Sequence, residues 1–168
     1  MLRRITSLLA LGSISLLAAE DKLEWKALPD LPGDLGVAGP FAGVHNDALI
    51  VAGGANFPDG VPWRQLADGS TPAKVYHDTI HVLTRDGLDY TIAEAKAKLP
   101  RALGYGVSIP TADGVLCIGG EWREGGEKHR SAKVFALGFA DGKIIVDEKF
   151  PALPAATTAA AGALVGET

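Results

Sequence analysis

The chain has 168 residues, of which 16 are basic and 20 acidic, for a formal net charge of −4. That size allows one ordinary domain. A mildly acidic chain without a basic stripe excludes nucleic acid as the expected partner. The one cysteine, Cys117, excludes an internal disulfide framework and a cysteine-based zinc site, and inside an apolar run it reads as a small buried hydrophobe.

Hydrophobic residues make up 47% of the chain, with 21 Gly and 10 Pro. This favours short strands joined by turns. At the N-terminus, Arg3 and Arg4 precede an apolar run over 8–17, and Ala18-Ala19 offers small residues for cleavage. The layout is that of a secretory signal peptide over 1–19, with a run too short to span a bilayer comfortably. The expected mature chain starts near Glu20, has no membrane span, and is periplasmic or secreted.

Residues 23–28 (LEWKAL) alternate apolar and polar and predict a half-exposed strand. Residues 36–44 and 48–52 predict a hairpin turning at Asn46-Asp47 and stopping at Gly53-Gly54. A long loop punctuated by Pro and Gly follows over 55–72. Residues 75–84 (VYHDTIHVLT) alternate again as a third strand, and 88–92 supply a fourth. Residues 93–99 (AEAKAKL) carry helical propensity but are too few for a stable helix. They are expected to be irregular or a single turn.

The order then repeats. Residues 104–109 and 115–118 form the first two strands of a second unit, turning at Ala112-Asp113-Gly114 and stopping at Gly119-Gly120. Residues 121–131 are its loop, 132–138 its third strand and 143–150 its fourth. A third copy opens at Leu153-Pro154, with a small-residue strand expected over 158–164. A recurring unit of this kind decides the fold before any single residue does. Each unit is a four-stranded antiparallel meander, the blade of a β-propeller.

The Gly-Gly stops, the aromatics Tyr76 and Phe135, and the Leu-Pro after the fourth strand look like kelch repeats. The runs LGVAGPFAGVHNDALIVAGGANFPDGVPW and LPRALGYGVSIPTADGVLCIGGEW are more specific. They resemble the cyclically permuted mutarotases, relatives of N-acetylneuraminate epimerase. The resemblance implies an all-β kelch-type β-propeller that is incomplete in this chain. The strand at 23–28 would close the last blade, blade one would span 36–98, blade two 99–150, and 151–168 would start blade three. Together these make a partial propeller over 20–168. Such proteins resemble six-bladed rings about twice this length, so the chain is expected to be an N-terminal fragment, inactive and aggregation-prone when alone.

Strands run up and down within a blade, so the loop after strand two and the entry into strand one share a face. That places Asn56 and Trp63 from the first loop beside Arg101, together with Glu121, Trp122 and Arg123 from the second. Acid, base and cation candidates converge there. His77 and His81, four apart on a strand, lack a third ligand for a metal site.

If the family activity holds, the resemblance implies interconversion of the anomers of N-acetylneuraminate (sialic acid) by ring opening. That chemistry needs two proton-exchanging groups and a partner for the substrate carboxylate. Glu121 is the candidate proton carrier and Arg101 its catalytic companion. Arg101 and Arg123 are candidate clamps, and Asn56, Trp63 and Trp122 candidate substrate contacts. No metal, nucleotide or other cofactor is called for. The competing expectation is a non-catalytic propeller that binds glycans or proteins.

Overall fold

The computed structural model describes residues 23–87 and 89–166. The expected signal peptide over 1–19 therefore lies outside the described residues. Twelve strands are present among them: β1 (Phe41–His45), β2 (Ala48–Ala52), β3 (Ala55–Asn56), β4 (Val75–Tyr76), β5 (Thr79–Asp86), β6 (Asp89–Lys98), β7 (Val107–Thr111), β8 (Gly114–Ile118), β9 (Glu121–Glu124), β10 (Glu127–Arg130), β11 (Val134–Ala140) and β12 (Lys143–Asp147). They build two four-stranded antiparallel sheets, ordered β1-β2-β5-β6 and β7-β8-β11-β12. Two short ribbons, β3-β4 and β9-β10, accompany them.

Local chemistry fixes the tight hairpins. Asn46 and Asp47 both take positive φ, 48° and 59°, the geometry of a two-residue turn that matches strand twist. Asp141-Gly142 repeats it with 52° and 71°. The first turn also ties the sheets together. His45 Nδ1 accepts from the Phe139 backbone N–H at 3.0 Å, which leaves Nε2 as the donor to the Ala112 carbonyl at 3.2 Å. Asn46 donates to the Phe139 carbonyl at 2.7 Å.

The sheets stack face to face with equivalent strands opposed, β1 against β7 and β8, and β6 against β12. Strands of the two units are therefore not interleaved. Strand alternation aims one face of each sheet into the seam. Phe41, Ile50 and Ile80 meet Val115, Cys117, Phe135 and Leu137, all essentially without solvent exposure. Burying each large side chain contributes about 1.5–3 kcal/mol. Phe41 meets Phe135 edge to face at 5.5 Å, a favoured aromatic geometry. Burial drives the Cys117 thiol well above its ordinary pKa.

The Gly-Gly stops dock each unit on the next. Gly54 N–H donates to the Leu103 carbonyl and Leu103 N–H to the His77 carbonyl. One unit later, Gly120 donates to Thr157 and Thr157 to Ser131 in the same pattern.

Five expectations need correction. Residues 93–99 are not irregular: 93–98 complete β6, whose outer-edge position makes Ala-Glu-Ala-Lys-Ala-Lys a period-two pattern with its charges in solvent. Residues 75–84 are not one strand but β4 and β5, separated at His77-Asp78, where backbone bonds turn to the next unit's entry. The expected loop over 55–72 opens with β3, which pairs with β4 beyond it, and the expected loop over 121–131 is the β9-β10 hairpin. Residues 23–28 form no strand, with Trp25 93% exposed, because nothing described lies alongside to complete a ladder. Residues 158–164 likewise stay out of strand pairing, and the third unit is held by the bridge Ser131↔Thr157 and by backbone bonds from Gly120 to Thr157, from Leu153 to Ala132 and from Ala159 to Tyr105.

Candidate functional site

Both short ribbons leave the sheets directly after a Gly-Gly stop and contact each other through β4 and β9. Isolated bridges anchor their bases: Ala38 to Ala55 in the first unit, Gly104 to Glu121 in the second. Glu121 thus stands where the first unit has a small alanine. It is 6% exposed.

A buried carboxylate needs partners, and Glu121 has three. One oxygen accepts from the Tyr76 hydroxyl at 2.7 Å. The other accepts from Thr158 at 2.9 Å and from Lys128 at 2.6 Å. Burial opposes the charge, but these bonds outweigh it and hold the carboxyl below its ordinary pKa. Burial and the adjacent carboxylate push the Tyr76 phenol far above its ordinary value, so it stays protonated. Glu121 thereby joins β4 of the first unit, β9 of the second and the entry of the third.

Beside this cluster lies a cleft of about 410 Å³ lined by Lys74, Tyr76, Arg101, Trp122, Arg123 and Glu124. Arg101 stacks over the Trp122 indole with its guanidinium carbon 4.3 Å from the ring centroid. It donates to Glu124 at 3.2 Å. Hydrogen bonds from the Trp122 indole and from Arg101 lower the Glu124 pKa. The far side of Trp122 stacks on His129 at 5.2 Å. Arg123 donates to the Gly126 carbonyl at 3.1 Å, inside its own hairpin turn. Three cations and two aromatic rings facing one acid make a surface suited to an anionic, partly apolar ligand.

The structure brings Arg101, Trp122 and Arg123 together, with Glu121 behind Tyr76. It sets Asn56 and Trp63 apart. Both line a different depression, beside Leu35 and Phe57, and Asn56 is occupied by His77 at 2.9 Å. Lys74, Tyr76 and Thr158 were missed at the sequence level. Tyr76 was read only as a strand aromatic, and Thr158 as the start of a strand. Lys74 carried no motif; only its place just ahead of a strand on the loop face pointed to it. Among the described residues no group of three or more His, Cys, Asp or Glu could hold a metal ion, and no helix is long and apolar enough to cross a membrane.

Two meanders stacked strand on equivalent strand, with loops from one face enclosing a polar cleft, define a sector of a kelch-type β-propeller. The sequence profile of N-acetylneuraminate epimerase matches residues 11–146, and the chain belongs to that family. N-acetylneuraminate epimerase of Yersinia pestis (strain Pestoides F) is 37% identical, the match covering 74% of this chain and 32% of that protein. The Haemophilus influenzae (strain 86-028NP) epimerase is 35% identical over 75% of this chain and 33% of its own. Among solved structures, "Structure of YjhT" superposes with a TM-score of 0.56 at 30% identity, covering 76% of this chain and 35% of that one. The chain spans about a third of the length of these relatives.

Proposed function

We propose that this chain supplies two blades and one wall of the site of a sialic acid mutarotase, which interconverts the anomers of N-acetylneuraminate. The observation that carries the reading is the cleft between the ribbons, where Lys74, Arg101 and Arg123 sit beside Tyr76 and Trp122 in a chain of this family. The substrate is a cyclic hemiketal bearing a carboxylate. Its cationic complement is the cleft, and its ring faces suit the exposed edge of Trp122.

The reaction needs a base to take the proton of the anomeric hydroxyl. The bond from the anomeric carbon to the ring oxygen then breaks, and the electron pair leaves with that oxygen, which takes up a proton. The resulting ketone turns its other face and the ring recloses. Glu121 is the proposed proton carrier, reached from the cleft through the Tyr76 hydroxyl it holds. Arg101, fixed between Trp122 and Glu124, is proposed to stabilise charge on the reacting oxygens. Asn56 and Trp63, one depression away, are proposed as contacts to more distant parts of a bound glycan. The arginines and apolar run ahead of Glu20 support export, and we place the action outside the cytoplasm.

NMR exchange spectroscopy of the two anomers, with these blades in their full-length parent, tests the reading. Arg101→Ala and Glu121→Gln are each expected to slow exchange at least tenfold. Sialic acid binding with no acceleration by the unsubstituted protein would instead identify a lectin.

A further inference from the structure

Three cations line the cleft, and they are not equivalent. Arg101 is already paired: its guanidinium carbon lies 4.3 Å from the Trp122 ring centroid and one nitrogen contacts Glu124. Arg123 is tied to the Gly126 carbonyl. Lys74 differs from Arg101 in having, like Arg123, no carboxylate within ion-pair distance among the described residues. It differs from Arg123 in that its one hydrogen bond is a long 3.3 Å donation to the Tyr105 hydroxyl, on the wall of the cleft, and not to its own hairpin turn. An ammonium has three donors, so its hydrogen-bonding capacity is largely unused.

The cation is nevertheless held in place. Its Nζ lies 4.6 Å from the Tyr105 ring centroid, 5.7 Å from Phe57 and 6.0 Å from Tyr76. Aromatic faces attract an ammonium without neutralising it. The side chain is half-buried, which limits the conformational entropy lost when a ligand arrives.

The backbone gives a second, independent indication. Tyr105 has φ 58°, a left-handed conformation that disfavours any residue with a Cβ. The equivalent entry positions in the other units are Gly39 at 62° and Ala159 at 52°. The second unit thus places a large ring on a left-handed backbone conformation that favours glycine, a strained placement. Gly39 makes room for it, since a Cβ there would lie 2.6 Å from the Tyr105 ring. What this strained placement achieves is a phenol bonded to Lys74 and a ring packed edge to face on Tyr76 at 6.3 Å.

Resting on the mutarotase reading, we propose that Lys74, caged by Tyr105, Tyr76 and Phe57, is the residue that binds the substrate's carboxylate and sets the preference for an acidic sugar. Arg101 is paired with Glu124 and Arg123 is folded onto its own hairpin, so Lys74 is the unpaired cation held in the aromatic wall of the cleft. A compact ammonium suits this role because it can approach one carboxylate oxygen while keeping its contact with the cage.

The probe pair is N-acetylneuraminate and its methyl ester, the same sugar without the charge, titrated into the 168-residue chain and followed by amide and side-chain NMR. The chain is expected to bind the acid at least tenfold more tightly than the ester, and the Lys74 Cε resonance to shift with the acid alone. Lys74→Met should bind both at the ester's level with an unchanged amide spectrum, Lys74→Arg should recover part of the preference, and Arg101→Met should keep it. A Lys74→Met chain that still prefers the acid overturns the inference and leaves the mutarotase reading standing. So does an unshifted Lys74 signal in the unsubstituted chain, a readout that does not require the variant to fold. Failure of the chain to bind either compound overturns the inference and leaves the mutarotase reading to the anomer-exchange measurement in the full-length parent.

Discussion

Glu121 shows how one acid can hold several elements together. Its carboxylate receives Tyr76, Thr158 and Lys128, each from a different part of the chain. Glu121→Gln keeps the shape but removes the charge, leaving Lys128 without its partner. The expected loss is about 1–3 kcal/mol, measured by urea unfolding at neutral pH. The sign with pH follows from the depressed folded-state pKa. The contribution is complete above the unfolded carboxyl's value, about 4.3, and disappears as pH falls through the lower folded value. The gap between wild type and variant should therefore be full at pH 7 and shrink progressively as the pH falls below the unfolded carboxyl's value. A gap that widened in acid would contradict this assignment. The sequence pointed to Glu121 because it follows a strand end; it gave no sign of the three donors, which come from 37 and 45 positions away or from across a hairpin.

At the scale of elements, the Gly-Gly stop is the joint between units. Gly53 has φ 68°, and a Cβ there would fall on the Leu103 carbonyl. Gly69 is also left-handed, at 82°, but nothing lies within 4 Å of it. Gly53→Ala and Gly69→Ala therefore share the backbone strain and differ in the clash. Thermal melts should show Gly53→Ala as clearly the more damaging, with Gly69→Ala losing about 1 kcal/mol. Equal losses would mean the joint is not under close contact. The hairpins were legible because Asn-Asp and Asp-Gly specify their turns locally. The second half of β6, 93–98, was not, because Ala, Glu and Lys favour helix by propensity while their alternation fits an edge strand. Packing at the outer edge decided between them.

For the whole molecule, the seam between the sheets is filled and their outward faces are not. Val44 on the first sheet is 55% exposed and Ile145 on the second 54%. Val44 neighbours the half-buried Leu49 across the ladder, so apolar side chains adjoin on this outward face. Such surfaces promote association. Val44→Glu with Ile145→Glu is expected to raise the soluble fraction of this chain while changing its stability by no more than about 0.5 kcal/mol. A lowered melting temperature would show that these side chains are packed in solution.

By itself the sequence determined the repeating meander, its turns and its docking glycines, because those depend on alternation and on φ values that neighbouring residues dictate. It also marked the face on which Arg101, Trp122 and Arg123 meet, since strand direction alone puts alternate connections on one side. Only the tertiary structure decided which cations are free. Arg101 is paired with Glu124 over the Trp122 ring, Asn56 is turned toward His77, and Lys74 is held by aromatic rings without a carboxylate. Whether a charge is paired depends on distances between side chains far apart in the chain, and no local pattern carries that information.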